Sequence, residues 1–329
     1  MKHKDTEFLH ATTRVRALER LLINKERMER MLDAKTVEEV VKLLPEMGYA
    51  EVTPATMKQA ILAMDAGRAA TWHLLHSLSP VPELLDVFGI KYDYHNAKAL
   101  IKGAARQIDA TPLLTDAGRV PVAKLTTAVS QNELRDLPQT LRAAIEEARE
   151  TLARTEDPRR ADLVLDRACF VEMLATAQAA ESAYLLGYVR ILIDVANLRT
   201  MVRATRQNQN AQFLRSVLIP GGNVEESRLA LSENGLCELF RSTVLEEAAA
   251  EGVRAMTGEI GFVRFEKLCD DAVCAYLQSA KMVPFGDAPV VAYLAAKESE
   301  ITQIRIILAG KSEDLPPEEI RERLRVSYV

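Results

Sequence analysis

An acid, an amide and a cation recur three times along this chain at a spacing near one hundred residues, and that recurrence constrains the fold more than any other feature. In KYDYHNAKALIKG, Asp93, Asn96 and Lys98 precede Leu100, Ile101 and Gly103. In LIDVANLRTMVRA, Asp194, Asn197 and Arg199 precede Met201 and Val202, and in KESEITQIRIILAGK, Glu300, Gln303 and Arg305 precede Ile307, Leu308 and Gly310. The leading acids are 101 and 106 residues apart. A second marker, Asp65, Asp166 and Asp270, runs ahead of the first by 28, 28 and 30 residues. A third marker joins two of the copies, where Gly118, Val120 and Leu125 match Gly222, Val224 and Leu229 at a constant offset of 104. Three markers with a common offset imply a threefold internal repeat, with units at 1–110, 111–214 and 215–329. An all-helical scaffold for soluble protein partners is the rival reading, but its repeats run about 34 to 47 residues.

The units read as helical. Among 329 residues only 14 are Gly and 13 Pro, and apolar residues make up 48% while aromatics make up 5%, so the core is built from the small and aliphatic side chains that helices favour. In the third unit Phe265, Leu268, Cys269, Ala272, Val273, Tyr276 and Leu277 recur at steps of three and four, which predicts a helix with one buried face. Met57, Ile61, Met64, Trp72 and Leu75 follow the same period after Thr53-Pro54, which reads as a cap with proline at the first helical position. Asp157-Pro158 opens a helix in the second unit in the same manner, and Glu181 to Arg203 predicts one long helix. The extended piece Gly118-Arg119-Val120-Pro121 is interrupted by proline. Breaks are expected at Ser79-Pro80-Val81-Pro82, Pro220-Gly221-Gly222 and Leu315-Pro316-Pro317.

Charge excludes some functions. Basic residues number 42 against 47 acidic ones, a formal charge of -5, so the chain has no general attraction to nucleic-acid phosphates. Charged residues interrupt the first 22 residues where a secretion signal needs an apolar run, and no stretch is long enough to predict a direct membrane span. Cys169, Cys237, Cys269 and Cys274 form neither a disulfide framework nor a Cys-x-x-Cys pair, which fits a reducing, cytosolic setting.

The motifs of catalysis are likewise missing. Ala309-Gly310-Lys311-Ser312 resembles the end of a phosphate loop, but the first glycine of that motif falls on Arg305, so the string reads as an exposed helix C-terminus. His73 and His76 share a helix face without an accompanying acid or thiol, and His3, His10 and His95 are isolated. Cys269 and Cys274 read as small core residues. No catalytic residue, metal ligand or cofactor site is assigned.

The polar repeat itself has two readings. On a helix the amide at +3 lies near the acid's face, while the cation at +5 is turned roughly 140° from it. The cation therefore meets a neighbouring helix. Asp65, Asp166 and Asp270, about a helix and a turn upstream, are the expected partners in a network within each unit. In the alternative, Lys98, Arg199 and Arg305 line a common surface for a partner.

Three segments, FGIKYDYHNAKALIKG at 88–103, LIPGGNV at 218–224 and KESEITQIRIILAGKSEDLPPEEIRERLRVSYV from Lys297, carry a likeness to a known family. The chain resembles the C subunit of the prokaryotic V-type or A-type ATPase or ATP synthase, the counterpart of the eukaryotic d subunit. The resemblance covers essentially the whole chain. It implies an all-α fold of three similar units around a pseudo-threefold axis, shaped as a funnel. It also implies a non-catalytic rotor part without a cofactor, whose partners are the central-stalk D and F subunits and the membrane proteolipid ring. The expected location is cytoplasmic, peripheral to the membrane through the complex.

Overall fold

The structure, a computed structural model, describes residues 4–229 and 235–329, and every regular element among them is helical. His3 lies outside the described residues. Three short helices, α1 (Leu9–Glu19), α2 (Lys25–Asp33) and α3 (Val37–Val41), precede a first long pair, α4 (Met57–Leu78) and α5 (Asp86–Arg106). Helices α6 (Val122–Gln131) and α7 (Gln139–Thr155) lead to a second pair, α8 (Pro158–Ala179) and α9 (Ala183–Arg206). Four shorter helices, α10 (Ala211–Val217), α11 (Glu226–Leu229), α12 (Leu236–Leu239) and α13 (Glu246–Met256), lead to a third pair. That pair is α14 (Val263–Gln278) and α15 (Asp287–Ser312), and α16 (Pro317–Arg323) follows it.

Side-chain caps fix where several helices start. Asp157 accepts from the Arg159 amide at 2.9 Å with Pro158 in the first turn, as the sequence predicts, and Ser182 accepts from the Leu185 amide at 2.9 Å to open α9. Each such cap stabilises its helix by about 1 kcal/mol. Two boundaries differ from expectation. The cap of α4 is Thr56, which accepts from the Gln59 amide at 3.3 Å; Thr53-Pro54 precedes the helix, because the Thr56 hydroxyl is the one placed to accept from a free amide of the first turn. Gly310 does not stop α15, which runs on to Ser312; Gly310 is buried where Ile320 of α16 packs on it, and an added Cβ there meets Ile320 Cγ1 at 2.6 Å.

Packing follows an order that chain proximity does not suggest. Helix α5 lies along α8, α9 along α13 and α14, and α15 along α1 and α4. The second helix of each pair therefore packs on the first helix of the next pair, and the third pair returns to the first. The leading halves of α5, α9 and α15 share one core through Val87, Ile90, Leu185, Val189, Val290 and Leu294. Nearly every residue from 288 to 296 is buried, so that half of α15 has no polar face and needs none. The trailing half of α9 forms a separate core with Leu229, Phe240 and Phe265, and the trailing half of α15 forms another with Met31, Leu44 and Met64. Burying each such side chain contributes about 1.5–3 kcal/mol.

Candidate functional site: three polar junctions

The acid-amide-cation residues all sit midway along α5, α9 and α15; on α9 and α15 the shared core gives way there to a separate one, while the trailing half of α5, with Ala97 and Ile101, stays in the shared core. At the first junction the fully buried Asp93 accepts from the Val120 amide at 2.9 Å and from Arg119 Nε at 3.0 Å. Asn96 closes a two-way clasp on Thr115, accepting its amide at 3.0 Å and donating to its carbonyl at 2.8 Å. Lys98 bonds to Asp166 on α8. Arg119 also reaches Glu172, which accepts from the Tyr94 hydroxyl at 2.8 Å.

The second junction repeats the arrangement. Asp194 accepts from the Val224 amide at 3.2 Å, the Asn223 amide at 3.2 Å and the Asn223 side chain at 2.8 Å. Asn197 clasps both polar groups of the Ile219 backbone at 2.8 Å. Arg199 pairs with Asp270 at 2.8 Å and Glu266 at 2.6 Å on α14. The repeated glycines now have a reason. A Cβ on Gly118 would run into Asp93 Oδ1 and one on Gly222 into Asp194 Oδ1, so only glycine lets the loop come down onto the acid.

At the third junction Glu300 accepts from the Ile23 amide, from the Tyr49 hydroxyl at 2.7 Å and from Lys297 at 2.7 Å. The Lys297 ammonium also lies 3.9 Å from the centre of the Tyr49 ring. Arg305 reaches Asp65 on α4 at 2.9 Å, and Asp65 also pairs with Arg68 at 3.1 Å. Gln303 is buried but its Oε1 has no hydrogen-bond partner among the described residues, so the amide clasp of the first two junctions has no full counterpart there. Ile23 and Met28 stand where Val120 and Leu125, and Val224 and Leu229, stand in the other two.

The expected pairing inside each unit is corrected. Lys98 pairs with Asp166 rather than Asp65, Arg199 with Asp270 rather than Asp166, and Arg305 with Asp65 rather than Asp270. The cause lies in the packing: α5 lies along α8, so the face turned away from the acid looks to the next pair, not back across its own turn. The sequence reading also missed a second rung. Lys102 pairs with Asp162 at 3.0 Å and Arg203 with Glu266 at 2.6 Å. The signal was present, since each added cation is four residues after the first and each added acid four before its partner, one helical turn in both cases.

Burial governs the electrostatics. It pushes the Asp93 and Asp194 carboxyls above the ordinary aspartate value, outweighing the amides and cations that oppose the shift. Glu298 is partly buried, yet Lys91, Arg68 and the Tyr92 hydroxyl hold it below its usual value. Burial raises the Cys169 and Cys269 thiols to about 12 and Cys274 to about 11, which keeps them protonated and makes them packing groups. His73 and His76 are exposed beside Trp72, and no cluster of metal-ligating residues occurs among the described residues.

These features define a class: an all-helical protein whose repeated polar residues join helices to one another. Comparison with known proteins gives the family. Residues 11–323 match the ATP synthase (C/AC39) subunit family. The C subunit of the V-type sodium ATPase of Enterococcus hirae is 25% identical over 317 residues, covering 95% of this chain and 97% of that protein. The C subunit of the A-type ATP synthase of Methanocaldococcus jannaschii is 24% identical, covering 96% of this chain and 86% of that protein. That of Thermococcus kodakarensis is 23% identical, with 97% and 90% covered. The chain belongs to the ATP synthase (C/AC39) subunit family, and so is a non-catalytic subunit of a rotary ATPase. None of its described helices is long and apolar enough to cross a membrane.

Proposed function

We propose that this chain is the rotor element linking the central-stalk D and F subunits to the membrane proteolipid ring of its ATPase. On this reading the units 1–110, 111–214 and 215–329 surround a pseudo-threefold axis as a funnel, which rests on the ring and receives the lower end of the shaft. The chain is then cytoplasmic and held at the membrane by its complex.

The supporting observation is closure. The cross-helix pairs run from Lys98 to Asp166, from Arg199 to Asp270 and from Arg305 back to Asp65. A part that passes torque between a shaft and a ring must resist shear between its own helices, and close-packed helices with polar pins between them do so. The repeated acids, amides and cations serve here to keep three units in register. A threefold socket on a ring of different symmetry cannot repeat one contact all round, so its outer contacts are many and modest.

Reconstitution tests the reading. With this chain left out, the soluble head should still turn over ATP while ion uptake by vesicles falls, because chemistry and transport lie in different partners. Loss of head turnover, or uptake at full rate, would overturn the proposal. Affinity capture of the D subunit by the full chain is the direct test of the shaft contact.

A further inference from the structure

Only the third junction joins parts that are remote in sequence. Ile23 and Glu300 are 277 residues apart, whereas Asp93 and Val120, or Asp194 and Val224, sit on neighbouring stretches of chain. It also lacks the outer rung, since Ala309 and Ile61 occupy the places of Lys102 and Asp162. The other ion pair between α4 and α15, Arg68 to Glu298, lies on the inner side of Arg305, towards the shared core. With no peptide link across it, and with its outer ion pair, Arg321 to Glu29 at 2.6 Å, made from α16 rather than from α15 itself, this joint is the weakest of the three unless something else holds it.

Residues 324–329 lie across that joint. Leu324 is buried in the core that α15 shares with α2 and α3. On one side Arg325 pairs with Asp270 at 2.7 Å, the Val326 amide donates to Asp271 at 2.7 Å, and Gln278 donates to the Ser327 carbonyl at 2.9 Å, all on α14. On the other side the Ser327 hydroxyl donates to the Ile23 carbonyl, and the buried Tyr328 donates to Glu19 at 3.0 Å. Ile23 is thereby gripped twice, its amide by Glu300 and its carbonyl by Ser327. Asp270 is shared as well, since it receives both Arg325 and the Arg199 of the second junction.

We propose that residues 324–329 are a strap that locks the seam between α14–α15 and the segment 19–49, and that the closed arrangement of helices opens at this seam when the strap lets go. Hydrogen exchange of the purified full chain tests this under native conditions, comparing amides of 19–49 with those of 113–120 and 218–224. Arg325→Ala and Tyr328→Phe each remove one hold without disturbing a helix. Each should speed exchange in 19–49 by about fivefold, with 113–120 unchanged. Deletion of residues 324–329 should produce a larger and equally local change. Equal acceleration at all three places would mean uniform weakening and overturn the strap, as would unchanged exchange in 19–49. Should the deletion fail to fold, the two point variants decide the matter.

Discussion

At the first two junctions a short acid meets a glycine, and at the third the acid is longer and a leucine stands in the glycine's place in the sequence. Asp93 and Asp194 sit against loops whose glycines, Gly118 and Gly222, come two residues before the bonded amide. Leu21 holds that place before Ile23, and Glu300, one methylene longer than aspartate, reaches the amide. The same bond to the backbone is thus made by acids of two lengths, the shorter one where the loop carries a glycine. Two of the three acids also hold a cation, Asp93 the Arg119 of its loop and Glu300 the Lys297 one turn before it on its own helix, where the near-complete burial of Glu300 calls for neutralisation. What repeats is therefore the bond, and residue identity follows from local room.

The largest effect is expected where that comparison is most one-sided. Glu300→Ala leaves the buried Lys297 ammonium, the Tyr49 hydroxyl and the Ile23 amide without their acceptor, and should cost about 3–5 kcal/mol. Adding Lys297→Met should restore much of the loss, since the costly species is the unpaired buried charge. Urea midpoints at constant m-value measure both; a double variant as weak as the single would show that the loss does not come from an unpaired buried charge.

Glycine at the first two junctions comes next. Gly222→Ala forces the Asp194 carboxylate or the loop to yield and should destabilise by about 1–3 kcal/mol. Leu21→Ala, at the corresponding place, should cost less because that side chain is 39% exposed. If the two thermal midpoints fall equally, the match between acid length and loop approach fails as an explanation.

The cross-helix pairs rank below these. Arg199→Met should lower stability by about 1–2 kcal/mol, short of the value for a buried pair because Arg199 and Asp270 remain 25% and 38% exposed. Arg305→Met should cost under about 1 kcal/mol, since Arg305 is 42% exposed, Asp65 is 35% exposed and Asp65 keeps Arg68. A larger loss at Arg305 than at Arg199 would reverse the order of the junctions. Unchanged melting with lost assembly at Arg199 would favour the partner-surface alternative.

The sequence carried the helices and the positions of the polar residues because both follow from local periodicity and from offsets. It carried the partners poorly. Nothing in Lys98 says whether Asp65 or Asp166 will face it; that depends on α5 lying along α8, a fact of packing between segments. The Glu300 partners Ile23 and Tyr49 are more than two hundred residues away, and no spacing rule reaches them. The tail segment drew notice for its likeness to a family, while its role across the seam rests on single bonds from Arg325, Ser327 and Tyr328 that leave no periodic trace.

The smallest effect is a slope with pH, and it tests what the first two junctions share. Burial raises the Asp194 carboxyl above its ordinary value, against bonds from Asn223 and Val224 that favour the charged form. The unfolded chain releases this proton near pH 3.9, while the folded chain holds it to higher pH. Between those two points the native state binds more protons than the unfolded state, so this group's contribution to stability is fully present below the unfolded value and is lost as pH rises through the folded one. Asp194→Asn cannot titrate. The wild-type minus variant difference in unfolding free energy should therefore shrink as pH is raised from 4 towards 7, and Asp93→Asn should behave alike because burial raises Asp93 in the same direction. Urea denaturation at pH 4, 5, 6 and 7 gives the slope. A difference that grows with pH at either position would mean that the bonds to the carboxylate outweigh burial, and that the two acids are held by charge as Glu298 is.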